Sequence, residues 1–202
     1  ETADDPARLA RARIFVVDPV DGTVAYIKGL PWWTVALAVV EHGEPVAAVV
    51  HAPDLDETYT AIRGKGAWLN GEAITASRTE RLAGAAILAD PALLARPIWR
   101  HPWPELRLER RNSIAYRLAL VGAGGFDAAI SLGPKWDWDV VAGTLIATEG
   151  GAFVSDHGGR PLHFNRPVPQ QASLICATPG LYPLILGQCG PIALTDPNDG
   201  IP

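Results

Sequence analysis

The chain has 202 residues, of which 48% are hydrophobic and 19% are charged, and its formal net charge at pH 7 is -5. This composition is typical of a globular protein long enough for a sizeable core, and the acidic balance argues against a surface that binds a nucleic-acid polymer. The sequence has no apolar run of membrane-spanning length and no secretory signal pattern. We therefore expect no membrane partner and a cytoplasmic location.

The cysteine and methionine counts add two expectations. Cys176 and Cys189 are the only cysteines, too few for a zinc site of their own or for a disulfide framework, so we expect buried free thiols. The chain has no Met and begins with Glu1-Thr2. Because translation starts at Met, we expect it to be the remainder of a longer protein.

The first half of the chain, residues 1–85, predicts an antiparallel sheet. Residues 14–17 are an apolar run typical of a buried strand, and residues 41–45 separate two β-rich runs as a hairpin would. Asn70-Gly71 is typical of a tight hairpin turn. We therefore place strands at residues 14–17, 34–40, 46–51, 57–63 and 67–69.

The second half, residues 86–202, mixes predicted strands with helices. Asn112 or Ser113 is suited to cap a helix that ends at Gly124-Gly125. Residues 91–104 are expected to form an irregular loop. Further strands are expected at residues 85–89, 127–132, 152–155 and 173–177, with helices at 139–149 and from Thr178-Pro179 onward. We predict an α/β fold, a layered α+β sandwich, in one domain over residues 1–202 with halves at 1–85 and 86–202.

One acidic motif follows the first predicted strand: Asp18-Pro19-Val20-Asp21-Gly22-Thr23. Its two carboxylates can converge at the end of the strand, its glycine lets backbone N–H groups approach an anion, and its threonine can orient a water. This set suits a hard divalent cation such as Mg²⁺ that also contacts a phosphate. The alternative is a plain turn, because Asp, Pro and Gly are all common turn residues.

A second acidic segment precedes the predicted helix at residues 139–149. Asp139 follows Lys135-Trp136-Asp137-Trp138 and lies at the expected helix N-terminus, where the dipole favours negative charge. An Asp at that place is also an ordinary helix cap.

Together these segments resemble the inositol monophosphatase superfamily of metal-dependent phosphatases. Residues 18–23 match its first signature, Asp-Pro-x-Asp-Gly-Thr, and residues 138–143 match its second, a Trp-Asp followed by a small-residue helix. Residues 63–71 are similar to its glycine-rich hairpin, and residues 148–151 to the end of its second motif helix. The resemblance covers nearly the whole chain and implies the layered sugar-phosphatase fold, without its N-terminal helices.

The resemblance implies a phosphoric monoester hydrolase that uses two or three Mg²⁺ ions and is sensitive to lithium. Asp18, Asp21 and Asp139 would be carboxylate ligands, and Val20 would offer its backbone carbonyl. The family takes another metal-binding Glu from a Glu-Glu pair upstream of the first motif. Only Glu1 stands in that region here, so we place it among the ligands.

The same resemblance implies roles in catalysis and in binding a small phosphorylated substrate. Thr23, together with Asp21, would position the attacking water. The amides of Gly22 and Thr23 would hold the phosphate, and Ser113 and Lys135 would contact the rest of the substrate.

Two stretches, residues 113–118 and 133–135, are most similar to the bacterial branch that removes the 3′-phosphate of adenosine 3′,5′-bisphosphate. Lys135, Arg110 and Arg111 could meet the second phosphate, although a solvated basic surface is an equal alternative. Inositol monophosphate or a sugar phosphate is the alternative substrate. A catalytically inactive phosphate-binding scaffold is the alternative of another class, and a homodimer is compatible with the family.

Overall fold

A computed structural model describes residues 5–200. Its first sheet has six strands, each antiparallel to its neighbours, in the order in which they occur along the chain. The antiparallel first half predicted above is confirmed. The Asn70-Gly71 turn has positive φ at both residues, as a type I′ hairpin turn requires. The strands are β1 (Arg13–Asp21), β2 (Thr34–Glu41), β3 (Glu44–Ala52), β4 (Glu57–Ile62), β5 (Gly66–Leu69) and β6 (Glu72–Ala73).

The later strands are β7 (Ala86–Leu88), β8 (Arg107–Glu109), β9 (Ala128–Ser131), β10 (Lys135–Trp136), β11 (Phe153–Ser155), β12 (Gln170–Gln171) and β13 (Leu174–Ala177). Five of them form a second sheet in the order β11-β13-β9-β7-β8, in which β7 runs parallel to both β8 and β9. Strands β10 and β12 form a separate antiparallel pair. The α/β sandwich, with one antiparallel and one mixed sheet, agrees with the predicted fold class.

The α-helices are α1 (Thr23–Ile27), α2 (Pro91–Leu94), α3 (Ile114–Gly122), α4 (Asp137–Glu149) and α5 (Tyr182–Cys189), with short 3-10 turns at Pro6–Ala10 and Pro53–Leu55. Helices α3 and α4 lie between the two sheets, and α5 packs on the outer face of the second sheet. No helix among residues 5–200 is long and apolar enough to cross a membrane.

The core between the sheets depends on the close approach of α3 and α4. At Gly143 of α4, an added Cβ would lie 2.7 Å from Leu118 Cβ and 2.8 Å from the Ala115 carbonyl oxygen. Only glycine fits such a contact without moving a helix. The tight contact fixes the start of α4 relative to α3, and both helix starts border the site described below.

The two faces of the first sheet differ in burial. The inner face contributes Ala36, Ala38 and Val50 to the core, each at most 1% exposed. On the outer face Phe15 and Val17 remain 70% and 48% exposed. Leu37, which pairs with Val17, and Val35 on the same face are likewise 36% and 37% exposed.

Several sequence-based expectations are wrong. The first strand does not end at residue 17 with the acidic motif as a turn after it, because β1 continues through the motif to Asp21 and still pairs with β2 there. Helix α4 begins at Asp137 rather than Asp139. The last helix begins at Tyr182, because residues 178–181 form a turn in which Thr178 O accepts from the Leu181 and Tyr182 amides. The expected loop at 91–104 contains α2, whose first turn is capped by the Asp90 carboxylate.

Candidate active site

One pocket gathers most of the residues singled out by the sequence motifs, and its volume is about 680 Å³. We call it the acidic pocket, because Asp18, Asp21 and Asp139 each offer it a carboxylate oxygen, and these oxygens all lie within 4.8 Å of one another. The pocket is lined by Val17, Asp18, Pro19, Val20, Asp21, Gly22, Thr23, Val24, Asn112, Ile114, Lys135, Trp136, Trp138 and Asp139.

Asp18 and Asp21 reach the same pocket because β1 pairs irregularly with β2. In a regular strand, residues three apart point to opposite faces. Here Asp18 pairs with Ala36 and Asp21 pairs with Thr34, a step of three residues in β1 against two in β2. Such a bulge re-aims a side chain. The Asp18 carboxylate also accepts a hydrogen bond from the Val20 amide at 3.0 Å, which fixes its orientation.

Asp139 lies in the first turn of α4, where the helix dipole favours its negative charge. Its carboxylate accepts a hydrogen bond from the Trp136 amide at 3.0 Å. The neighbouring Asp137 points elsewhere, since its carboxylate accepts hydrogen bonds from Gln171 Nε2 at 2.8 Å and from the Asn165 amide at 2.9 Å. Only one of the two aspartates at this helix start therefore joins the cluster.

Asp21 is held by a chain of hydrogen bonds from the core. Its Oδ2 accepts from the Ser113 hydroxyl at 2.6 Å and from the Ala115 amide at 2.7 Å. The oxygens of Ser113 and Thr34 lie 2.9 Å apart. Because the single hydroxyl hydrogen of Ser113 goes to Asp21, Thr34 is the donor in that contact. Both hydroxyl residues are fully buried, so the first sheet and α3 together orient this carboxylate.

Gly22 makes the sharp exit from β1 into α1. Its φ is +87°, and a Cβ there would lie 2.8 Å from the Ser113 nitrogen and 3.0 Å from the Trp32 carbonyl oxygen. A side chain is therefore excluded both by backbone conformation and by space. The glycine lets the backbone at Gly22 and Thr23 line the pocket beside the carboxylates.

Ionising the three clustered carboxylates of this pocket costs free energy, because they are removed from water and repel one another. Burial raises the pKa of Asp21 to about 7, and the nearby carboxylates of Asp139 and Asp18 add to this, against hydrogen bonds from Ser113 and Ala115. Burial also raises the pKa of Asp18, against the hydrogen bond from Val20. A divalent cation among the three carboxylates would offset the repulsion and the lost hydration. Oxygen donors of this kind fit Mg²⁺.

Lys135 and two tryptophans form the wall beside Asp139. The Lys135 amine donates to the carbonyl oxygens of Pro134 at 3.0 Å and Gly133 at 3.3 Å. Burial lowers the pKa of Lys135, and the Asp139 carboxylate opposes that shift. The rings of Trp136 and Trp138 are stacked, with centroids 4.8 Å apart and planes 8° apart, and Trp136 is 37% exposed. The wall thus offers one cation and a flat apolar surface.

Other predicted contacts lie outside the pocket lining. Ser113 is fully buried behind Asp21, where it orients that carboxylate. Arg110 pairs with Asp90, while Arg111 pairs with Glu109 and stacks over Trp32. Glu1, proposed above as a metal ligand, lies outside the described residues.

Sequence reasoning missed the Thr34 hydroxyl and the Ala115 amide. Both support Asp21, and neither belongs to the acidic motifs. It also gave no role to Trp136 and Trp138, which both line the pocket beside Asp139.

The sequence of this chain is similar to those of known proteins. A family model described as the inositol monophosphatase family matches residues 1–190. The fructose-1,6-bisphosphatase/inositol-1-monophosphatase of Thermotoga maritima is 37% identical over 154 residues, covering 73% of this chain and 58% of the relative. The inositol-1-monophosphatase of Rhizobium meliloti is 33% identical over 180 residues, covering 82% and 63%. The Nus factor SuhB of Xylella fastidiosa is 36% identical over 154 residues, covering 72% and 56%. The chain spans about three fifths of the length of these curated relatives.

Solved structures agree with the layered fold. The Thermotoga maritima IMPase has a TM-score of 0.76 at 28% identity, over 89% of this chain and 69% of that one. Inositol monophosphatase II of Staphylococcus aureus has a TM-score of 0.80 at 21% identity, over 92% and 72%, and at that identity it speaks for the fold alone.

Proposed function

This chain belongs to the inositol monophosphatase family, and on that premise we propose that its acidic pocket hydrolyses a phosphate monoester with the help of bound Mg²⁺. The observation that carries the proposal is the convergence of three carboxylate oxygens within 4.8 Å of one another. The pocket, at about 680 Å³, is also large enough for a small phosphorylated substrate.

Asp18, Asp21 and Asp139 would hold the cations, with the backbone carbonyl of Val20 as a further donor and two or three ions in all. Both donors to Asp21 use Oδ2, which leaves Oδ1 for a cation. When bound, Mg²⁺ lowers the pKa of a ligated water and neutralises charge on the phosphate. Glu1 would complete the set of ligands.

The chain's own groups would position the reacting atoms. Thr23 lines the pocket next to Asp21, so its hydroxyl can orient the attacking water. The amides of Gly22 and Thr23 would donate hydrogen bonds to the phosphate oxygens. No covalent phosphoenzyme is needed, since water itself attacks the phosphorus.

For the substrate we favour adenosine 3′,5′-bisphosphate, which would lose its 3′-phosphate. Lys135 lies in the same pocket as the carboxylates and can meet the second phosphate. The exposed face of Trp136 can stack on the flat base. Within the described residues, the three aspartates are the acidic residues of the pocket lining. No further carboxylate there is available to accept hydrogen bonds from the ring hydroxyls of an inositol.

A second candidate, inositol 1-phosphate, is favoured by the names of the relatives. Two of the three curated relatives described above are named as inositol-1-monophosphatases, one of them also as a fructose-1,6-bisphosphatase. A sugar phosphate is therefore part of the same test.

The cellular setting belongs to the same proposal. Cys176 and Cys189 are buried free thiols, as expected in a reducing compartment such as the cytoplasm. We also propose a homodimer, which size-exclusion chromatography with light scattering would test.

The experiment is phosphate release by the full chain with Mg²⁺, comparing adenosine 3′,5′-bisphosphate with inositol 1-phosphate and fructose 1,6-bisphosphate. Preference for the nucleotide supports the favoured substrate, and preference for inositol 1-phosphate selects the second candidate. Asp139→Asn should abolish release, while Asp56→Asn, an exposed position outside the pocket, should not. Mg²⁺ binding without release from any ester would favour the inactive scaffold instead.

A further inference from the structure

A second cavity, of about 590 Å³, lies between the segment before β7, strand β8 and the turn that follows α3. We call it the arginine cavity, after Arg78, Arg81 and Arg107. Its lining also includes Glu80, Asp127 and Gly124, and it shares no residue with the acidic pocket.

The three guanidinium groups of this cavity are exposed. Within residues 5–200, none of them has a hydrogen bond or an ion pair. The cavity's buried carboxylate, Asp127, is already occupied, because it accepts hydrogen bonds from the Ser77 hydroxyl and the Ala86 amide. The donors of the arginines are therefore available to a ligand.

The cavity concentrates positive charge although the net charge of the chain is -5. Its lining contains three arginines from two separate segments and two acidic residues, Glu80 and Asp127. The positive charges therefore outnumber the negative ones. A guanidinium offers a planar fork of N–H donors that matches phosphate oxygens, and its bonds to an anion are charge-assisted. The volume lies within the range of small-molecule sites. The polar walls offer a ligand charge and hydrogen bonds rather than an apolar surface.

We propose that the arginine cavity is a second ligand site, which binds a small anion through its phosphoryl groups. The site stands apart from the proposed hydrolysis, because it needs neither the carboxylate cluster nor a metal. Its ligand is a free phosphate or polyphosphate anion, or a compact phosphate ester.

The test is calorimetric titration of the full chain with pyrophosphate at low salt and with EDTA, which removes divalent cations from the acidic pocket. Saturable binding is expected, and Arg81→Ala and Arg107→Ala should each weaken it on the order of tenfold, as the loss of a charge-assisted contact would. Arg96→Ala removes an exposed arginine outside both cavities and should leave binding unchanged. These are surface positions, and thermal melts would verify that each variant folds.

Asp21→Asn separates this proposal from the proposed function, since it breaks the acidic pocket and should leave pyrophosphate binding intact. Orthophosphate and ribose 5-phosphate, titrated in parallel, distinguish a free anion from an ester as the ligand. The proposal is overturned if pyrophosphate does not bind at millimolar concentration, if both arginine variants bind like the wild type, or if Asp21→Asn abolishes binding.

Discussion

The acidic pocket and the arginine cavity carry opposite charges, and they differ further in how those charges are supported. In the acidic pocket, Asp18 and Asp21 are only 9% and 6% exposed, and Asp21 is oriented from the core by Ser113. In the arginine cavity the guanidinium groups are exposed and unsupported by hydrogen bonds within residues 5–200. Buried charge is costly without a counter-charge, whereas exposed charge costs little. We therefore expect the acidic pocket to depend on its cation and the arginine cavity to exchange its anion readily.

The largest effect in this comparison is expected from Asp21→Asn. The change removes one carboxylate while keeping an oxygen that can accept from Ser113 and Ala115. Because charge stabilisation by a bound cation is worth several kcal/mol, phosphate release should fall on the order of 10³-fold. Steady-state kcat/KM and the thermal shift caused by Mg²⁺ would be measured together. If the variant binds Mg²⁺ and hydrolyses the substrate like the wild type, the acidic pocket is not the cation site.

Gly22→Ala tests how strongly the stability of the fold beside the acidic pocket depends on a glycine at this turn. The variant should lose about 2–4 kcal/mol of unfolding free energy, from left-handed strain and from contacts as close as 2.8 Å. Gly29→Ala is the matched control, since its φ is also positive but no atom lies within 4 Å of an added Cβ. That control should cost only about 1–2 kcal/mol. Equal losses in urea unfolding of the two variants would show that space around Gly22 is not limiting.

Asp127→Asn probes the buried carboxylate of the arginine cavity. Burial pushes the pKa of Asp127 up, but hydrogen bonds from Ser77 and Ala86 hold it below its ordinary range, and Arg107 helps. The ionised form therefore stabilises the fold above the unfolded pKa of about 4, and this contribution is lost as the pH falls through the lower folded pKa. At pH 7 the variant should lose about 1–3 kcal/mol.

The pH dependence makes the Asp127 prediction specific. Urea unfolding at neutral and at acidic pH should show the gap between wild type and Asp127→Asn closing as the pH falls. Asp56→Asn, an exposed change outside both cavities, should show no gap at either pH. The loss of a negative charge should also tighten pyrophosphate binding a few-fold. A gap that stays constant with pH would mean that the ionised carboxylate is not what stabilises this cavity.

The two regions also differ in how far the sequence predicts them. Asp18 and Asp21 stand in one short motif whose local chemistry suggests a cation site, whereas Asp139 joins them only through the resemblance to the inositol monophosphatase superfamily. The arginine cavity has no such motif, because Arg107 comes beside residues 78–81 only through the parallel pairing of β7 with β8. Long-range pairing of this kind leaves no periodic trace in the chain.

The errors in the fold, in contrast, concern local signals that are ambiguous or were overlooked. Hairpins were predicted because alternation and turn residues are local signals. The last helix begins later than predicted because Pro179 and Pro183 both suit a first helical turn. The turn in which Thr178 O accepts from the Leu181 and Tyr182 amides places the helix start after Pro179. Helix α2 was overlooked although Asp90 followed by Pro91 is itself a helix-start signal.

Thr34→Val should have the smallest effect, and it separates orientation of Asp21 from its charge. Thr34 donates to Ser113, which donates to Asp21, so the change removes a support one step behind the carboxylate. Loss of one neutral hydrogen bond is worth about 0.5–1.5 kcal/mol, which corresponds to a decrease in kcat/KM of about 2–10-fold. Thr60→Val, on the other face of the same sheet, is the control.

If the hydroxyl chain acts by orientation, Thr34→Val should lower kcat and weaken the thermal shift by Mg²⁺ more than it lowers unfolding free energy in the absence of metal. A purely structural role would reduce stability alone and leave the Mg²⁺ shift unchanged. The first result would extend the acidic pocket inward to a residue that touches neither cation nor substrate. It would also sharpen the contrast with the arginine cavity, where no such inner support holds the guanidinium groups within residues 5–200.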